Sequence, residues 1–469
     1  MRNASAPARG NANRAPSTGA CGALAYLSLF SVLRPGPGPS SMHSAGPWIA
    51  ARRYVHELAA SGHLPAVARL GVELYGSAAC VGRECRAGAA IVAGLEGLDR
   101  SECDAAAVKR THAACSSRGT VFLDGRHEIR FDPADDIGFR IDRALAFDGA
   151  AVRFAAFDAS GATIADRLYL PVGDDVVLAR GETGASGATL RVPYDYAPSS
   201  DALIDACRAA GGRRLGFVAL ANEGALAPPG EVRARLLAIA EAMRAAVDRG
   251  LARTGPLPGR RKRTALSLAD GLDGERTTAA QRCRIYAIAA AEENAAGEVV
   301  VAAPSSGAAG VVAGLLRHVL SLHPGDVDNA AVDFLATAGA TGALLRRAGM
   351  RQVGCQGEIG VAAAMAAAGA AAVLGATPPQ ALHAAELALQ PHLGLACDPV
   401  GGRIESPCIE RNGLAAARAC AAASAAVRVP EPRVALDAVV RSMVETARSL
   451  GARYKEASLG GVAMSMPDC

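Results

Sequence analysis

The hydrophobic pattern of this chain changes period once, near residue 190, and that switch limits what it can fold into. Before it, short apolar runs alternate with polar residues: ARLGVELYGS (68–77), RGTVFLD (118–124), HEIRF (127–131), AVRFAAFDASG (151–161) and DRLYLPV (166–172). Successive side chains of a strand point to opposite faces, so this alternation marks half-buried strands. DASG at 158–161 supplies a hairpin turn. Helical stretches at 46–60 and 86–96 fill the gaps, and residues 27–183 read as an α+β domain. From Ser199 onward the pattern is helical, opened by the N-cap signal Ser199-Ser200-Asp201. Ala- and Leu-rich helices are expected over 231–250, 278–294, 308–321, 330–348, 359–375, 378–390, 413–427 and 434–450. Small side chains let helices approach closely, which predicts an all-α domain over 198–469 with a narrow, deep site. Residues 184–197 form the linker, and 255–280 an exposed loop whose run Arg260-Arg261-Lys262-Arg263 is solvated.

At 469 residues the chain has room for two or three full cores, and 51% apolar against 20% charged residues excludes a disordered chain. A net charge of +4 gives no support for a nucleic-acid partner. Residues 1–26 carry Arg2, Arg9 and Arg14 and no acid. They read as a disordered extension, with a cleaved targeting segment as the open alternative. The uncharged run Ile359–Ala376 approaches the length of a membrane span, but it is mostly Ala and Gly and reads as a buried helix, not a membrane contact. The twelve cysteines lack short secreted-type spacings and most lie in apolar helical patterns, which fits a reducing, cytoplasmic setting.

Three of those cysteines differ from the rest. Cys355 in GCQGEIG (354–360), Cys397 in LACDPVGG (395–402) and Cys408 in ESPCIERN (405–412) each sit in a polar turn that interrupts an Ala-rich stretch. A thiol buried for packing needs only apolar neighbours; Gly, Pro and charged residues suit a metal cluster instead. Three thiolates on a [4Fe–4S] cube would leave one iron without a protein ligand, a Lewis acid and not an electron carrier. The spacing is no compact metal motif, so spacing alone does not put the three in one site.

These segments resemble the bacterial iron–sulfur L-serine dehydratases (L-serine ammonia-lyases) of the single-chain type. The likeness extends through GPGPSSMHSAGP (36–47), VELYGSAA (72–79), ENAAGEVVVAAPSSGAAG (293–310), ATAGATGALL (336–345) and YKEASLGG (454–461). It implies a beta-type domain over 27–183 and an alpha-type iron–sulfur domain over 198–469. It also implies Cys355, Cys397 and Cys408 as ligands of a [4Fe–4S] cluster. The implied reaction is dehydration and deamination of L-serine to pyruvate and ammonia, with the open iron on the leaving hydroxyl. The alternative is a divergent paralogue acting on another hydroxy amino acid, or a weakly catalytic cluster-binding protein. A cluster-based sensor and an electron carrier are the readings from other classes. Pyridoxal phosphate is not expected, because its Schiff base needs a lysine and the chain has only Lys109, Lys262 and Lys455, none in a phosphate-cradling context. A homodimer taking a small-molecule substrate is the expected assembly.

Site roles follow the same segments. His43 is a candidate proton partner, with Ser40 and Ser41 offering donors for a carboxylate. Ser305 and Ser306 could clamp the substrate carboxylate, and Lys455 could orient the site. Cys469, the last residue, could fold back and cap the open iron. His318 and His383 read as structural. Several positions depart from the family pattern. Cys85 stands where a KGHGTD-type loop has its His, and Gly88 where it has Asp. Pro171 replaces the Ser of a Tyr-Tyr-Ser-x-Gly-Gly-Gly strand end, and Ser306 the Asn of APTNGA. Cluster binding is therefore better marked than serine specificity.

Overall fold

The computed structural model describes residues 26–39, 42–141, 150–171, 176–182, 190–272, 276–348, 353–429, 434–455 and 460–466. Its strands are β1 (Arg34–Pro37), β2 (Arg69–Gly76), β3 (Thr120–Leu123), β4 (His127–Arg130), β5 (Ile137–Arg140), β6 (Ala150–Phe157), β7 (Thr163–Pro171), β8 (Val177–Ala179) and β9 (Val299–Ala302). The first helices are α1 (Met42–Ala60), α2 (Ser77–Val81), α3 (Ala87–Leu95) and α4 (Ala105–Arg118). A sheet in the order β3-β4-β2-β6-β7-β8, with β5 also paired to β2, carries the N-terminal half. Strands β2 and β6 run antiparallel in a register that sets Leu70 opposite Ala156, Val72 opposite Phe154 and Leu74 opposite Val152. All six are buried, whereas Glu73 and Arg153 face each other on the other side and pair at 3.0 Å. Period-two alternation thus sorts one apolar face from one charged face. Helix α1 covers the apolar face, with Tyr54 stacked on Phe154 at 5.2 Å between ring centroids.

The C-terminal half is helical: α5 (Ser200–Ala209), α6 (Leu215–Gly224), α7 (Pro229–Ala252), α8 (Ala265–Asp270), α9 (Ala279–Ala296), α10 (Ala309–Leu322), α11 (Val327–Arg347), α12 (Val361–Val373), α13 (Pro378–Leu389), α14 (Cys408–Ala426), α15 (Leu436–Ser449) and α16 (Val462–Ser465). Helix α12 is the axis, enclosed by α10, α11, α13 and α14. The span Gln356–Val373 is long and apolar enough to cross a membrane, but 89% of it is buried within the protein, as expected of a core helix. Close approach is visible at Gly310, where a Cβ would lie 2.2 Å from the Ala287 carbonyl oxygen of α9.

The one strand of this half among the described residues, β9, pairs antiparallel with β1, from Arg34 opposite Ala302 to Pro37 opposite Val299. The chain just before β1 belongs to the helical core. Leu29, Phe30, Val32 and Leu33 are buried in it, and Glu223 accepts from Tyr26 Oη, Ser28 Oγ and Leu29 N. Residues 1–25 of the expected extension lie outside the described residues, while Tyr26 is buried. The expected solvated loop at 255–280 is corrected by buried acids. Glu293 is fully buried and takes Arg249, Arg253 and Arg263. Glu292 holds Thr264 at the start of α8, and Arg261 donates to the Glu405 carbonyl at 2.9 Å and pairs with Glu410. Arg261 thus braces the segment around Cys408 and Arg263 binds Glu293, while Arg260 and Lys262 are exposed as expected.

Candidate metal-cluster site

Cys355 immediately precedes a five-residue π-helix, Gln356–Gly360, that runs into α12. Such widened turns redirect a side chain and recur at functional sites. Gly354 has φ +66°, a conformation glycine adopts freely, and a Cβ there would sit 3.6 Å from Cys397 Cβ. The two cysteine segments cross at this residue. Buried Gln356 pins the turn, accepting from Gly394 N at 2.9 Å and donating to the Met443 carbonyl at 3.2 Å.

The thiols of Cys355 and Cys397 and the carboxylate of Glu358 lie within 4.8 Å of one another. Cys408 opens α14. Burial, then the Cys355 thiol and the Glu358 carboxylate, push its thiol well above the ordinary range, with Cys85 adding to the effect. The Cys408 residue nonetheless keeps some accessible area, as a thiol turned toward an enclosed space does. Arg411 answers this crowding of acids. Its Nη1 lies 2.8 Å from Asp398 Oδ1, 2.9 Å from the Ala396 carbonyl and 3.8 Å from Cys355 Sγ. A guanidinium there favours thiolates. The Arg411–Asp398 contact is close but off the hydrogen-bonding direction, so it compensates charge without a hydrogen bond. Asp398 Oδ2 instead accepts from Val462 N at 2.7 Å, and a Cβ on Gly461 (φ +62°) would meet that oxygen at 2.1 Å.

The C-terminal segment returns to this point. Cys397 N donates to the Tyr454 carbonyl at 2.9 Å, and Lys455 forms a parallel bridge with Cys397 through its backbone. Ser305 and Ser306 follow β9. Ser305 Oγ is buried and has no hydrogen-bond partner among the described residues, a state that costs about 1–3 kcal/mol. Ser306 Oγ accepts from Arg100 at 3.3 Å, and its carbonyl accepts from Asn294 at 2.7 Å. A Cβ on Gly307 would be 3.3 Å from Glu358 Oε2, so the serine loop abuts the Cys355 turn. Asn412 links both, donating to the carbonyls of Gly307 (2.8 Å) and Cys408 (2.9 Å).

His43, in the first turn of α1, meets Ser77 Oγ at 3.0 Å through Nε2, and burial lowers its pKa to about 4. Ser77 begins α2, whose Val81 lies against Gly402 in the loop between Cys397 and Cys408. Cys85 Sγ, buried, lies 3.6 Å from the Gly402 carbonyl. Pro171 packs on Gly46, one turn after His43. Ser40, Ser41 and Cys469 lie outside the described residues. A cleft of about 590 Å³ is lined by Cys85 together with Ser44, Arg86, Gly88, Arg100 and Lys109. A larger one of about 920 Å³ between the halves is lined by Arg34, Arg52, Glu57 and Arg235, and neither cleft is lined by Cys355, Cys397 or Cys408. Glu358, Asp398, Arg411 and Asn412 were not singled out from sequence. The available signal was a charged or amide side chain within one turn of each cysteine.

The donor set fits an iron–sulfur cluster: the Cys355 and Cys397 thiols converge with the Glu358 carboxylate beside one guanidinium, and Cys408 feels the same charges. Two family models cover the chain, the serine dehydratase beta chain over residues 28–182 and the serine dehydratase alpha chain over 143–463. The chain is 38% identical to the L-serine dehydratase of Streptomyces coelicolor, over 95% of this chain and 100% of that protein. It is 35% identical to L-serine dehydratase 2 of Escherichia coli, over 94% and 100%, and 37% identical to the L-serine dehydratase of Mycobacterium bovis, over 94% and 98%.

Proposed function

This chain belongs to the serine dehydratase family of the iron–sulfur type and is a carbon–oxygen lyase, and from there we propose that it converts L-serine to pyruvate and ammonia with a [4Fe–4S] cluster on Cys355, Cys397 and Cys408. The observation that carries the reading is the gathering of Cys355, Cys397 and Glu358 within 4.8 Å, with Cys408 responding to the same charges. When bound, a cluster with three thiolate ligands supplies a Lewis-acidic iron for the departing hydroxyl. Arg411, 3.8 Å from Cys355 Sγ, offsets part of the negative charge that the ligands bring to a cluster. Arg86, Arg100 and Lys109 give the cleft a positive wall that attracts the substrate carboxylate, and Arg100 reaches Ser306, next to the unsatisfied Ser305 hydroxyl. We assign removal of the Cα proton to Glu358, beside the thiols. His43, neutral and tied to Ser77, orients the wall formed by α2.

The tail belongs to the same proposal. Residues 460–462 rest on Asp398, and Cys469 is seven residues further on. An extended chain of that length spans up to roughly 25 Å, enough for Cys469 to cap the site when substrate is absent. A homodimer in the cytoplasm is the proposed assembly.

Anaerobic purification with iron and sulfide analysis, joined to a pyruvate assay on L-serine, L-threonine and their D-isomers, tests the reading. We expect about four iron and four sulfide per chain, pyruvate from L-serine, and loss of iron in each of Cys355→Ser, Cys397→Ser and Cys408→Ser. Glu358→Gln should keep iron and lower kcat by about 100-fold or more. Full iron in all three serine variants, or no pyruvate from iron-replete protein, would overturn it.

A further inference from the structure

A second group of soft donors lies in the helical half, outside the cluster site. Cys283 is on α9, His318 on α10 and Cys420 on α14, and one donor atom from each lies within 4.8 Å of the other two. Cys420 is about 18 Å along α14 from Cys408, taking 1.5 Å of rise per residue, so the two groups are separate. Cys283 is fully buried and His318 is 5% exposed, whereas Cys420 keeps some exposure and gives a way in from the surface. The surroundings are Ala-rich helix faces, which offer side-chain packing and little else.

One feature makes this more than packed core. His318 Nδ1 is buried and has no hydrogen-bond partner among the described residues, so the protein alone leaves its cost unmet. An imidazole and two thiols are donor types that ligate metals.

We propose that Cys283, His318 and Cys420 form a zinc site that joins α9, α10 and α14. Two thiolates and a neutral imidazole balance a divalent ion with no net charge, which an apolar interior accepts most readily. The absence of oxygen donors from the triad disfavours magnesium and calcium, and the sulfur–nitrogen set suits zinc. Zinc bonds of about 2.3 Å to sulfur and 2.0 Å to nitrogen put tetrahedral ligands roughly 3.5–3.8 Å apart, a small contraction from the spacing seen. The fourth position is left for water.

The test uses full-length protein, metal analysis and cobalt(II) as a spectroscopic probe. Purified protein should carry about one zinc per chain, and so should Cys397→Ser protein lacking iron. Cys420→Ser and His318→Gln should lose at least about nine-tenths of the zinc while iron content and circular dichroism stay unchanged. In a Cys355→Ser, Cys397→Ser, Cys408→Ser background, cobalt(II) should give a thiolate-to-metal absorption band that the added Cys420→Ser removes. Equal zinc in wild type and Cys420→Ser, or a cobalt band that survives that change, overturns the site. Because Cys420 is partly exposed, its serine variant folds, and unchanged iron content verifies that in the same sample.

Discussion

His43 is enclosed at the start of α1 with its Nε2 on Ser77 Oγ, and burial holds its pKa near 4. The unfolded chain takes up a proton on this ring below about pH 6.5, whereas the folded chain resists until about pH 4. Its contribution to stability is therefore full above pH 6.5 and is lost as pH falls through that window, by up to about 3 kcal/mol. His43→Gln should flatten the fall in urea-unfolding stability between pH 7 and pH 4.5 by about that amount. Identical pH slopes in the two proteins would mean that His43 is not held neutral. At this scale the sequence marked the cysteines because their polar neighbours were out of place in apolar helices. It did not mark Glu358 or Arg411, which look like ordinary helix surface residues in the string. Only the fold brings them beside the cysteines.

Among elements, the helices were legible where apolar period and caps agreed. The expected 378–390 is α13, Pro378–Leu389, with a Thr377/Gln380 capping box, and the expected 278–294 is α9, capped by Thr278 and Gln281. The start of α14 was placed five residues late, at 413 instead of Cys408, because the Pro and charges of PCIERN read as a turn. Of those charges Arg411 reaches the cysteines and Glu410 pairs with Arg261, so site and brace together obscured the helical pattern. Tight helix packing was expected from composition, and Gly310 is where it is most sharply felt. Gly310→Ala would drive a methyl into the Ala287 carbonyl and push α10 from α9, with a cost of about 1–3 kcal/mol. It would also strain the Gly310 N to Asn412 hydrogen bond of 3.0 Å. We expect a lower urea midpoint together with reduced iron retention. An unchanged midpoint would show that the helices yield freely at this contact.

Across the whole molecule, the two halves were legible from the change of period, but the crossing of the N-terminal segment into the helical half was not. Four residues of strand at β9 carry too little pattern to reveal a partner as distant as β1. The pairing predicts how the chain tolerates division. Fragments 1–183 and 190–469 expressed together should copurify in high salt. The buried side chains Leu29, Phe30, Val32 and Leu33 join them, and apolar contacts are insensitive to screening. Clean separation of soluble fragments would contradict this. The same pairing fixes an order of events during synthesis. Strand β1 leaves the ribosome early, but its partner β9 is not made until more than 260 residues later. At translation speeds of 5–20 residues per second, the nascent segment waits roughly 10–50 s with its apolar side chains unclaimed. The first folded residues of this enzyme thus depend on a late part of the message, and a ribosome stalled before β9 would leave them without their partner strand.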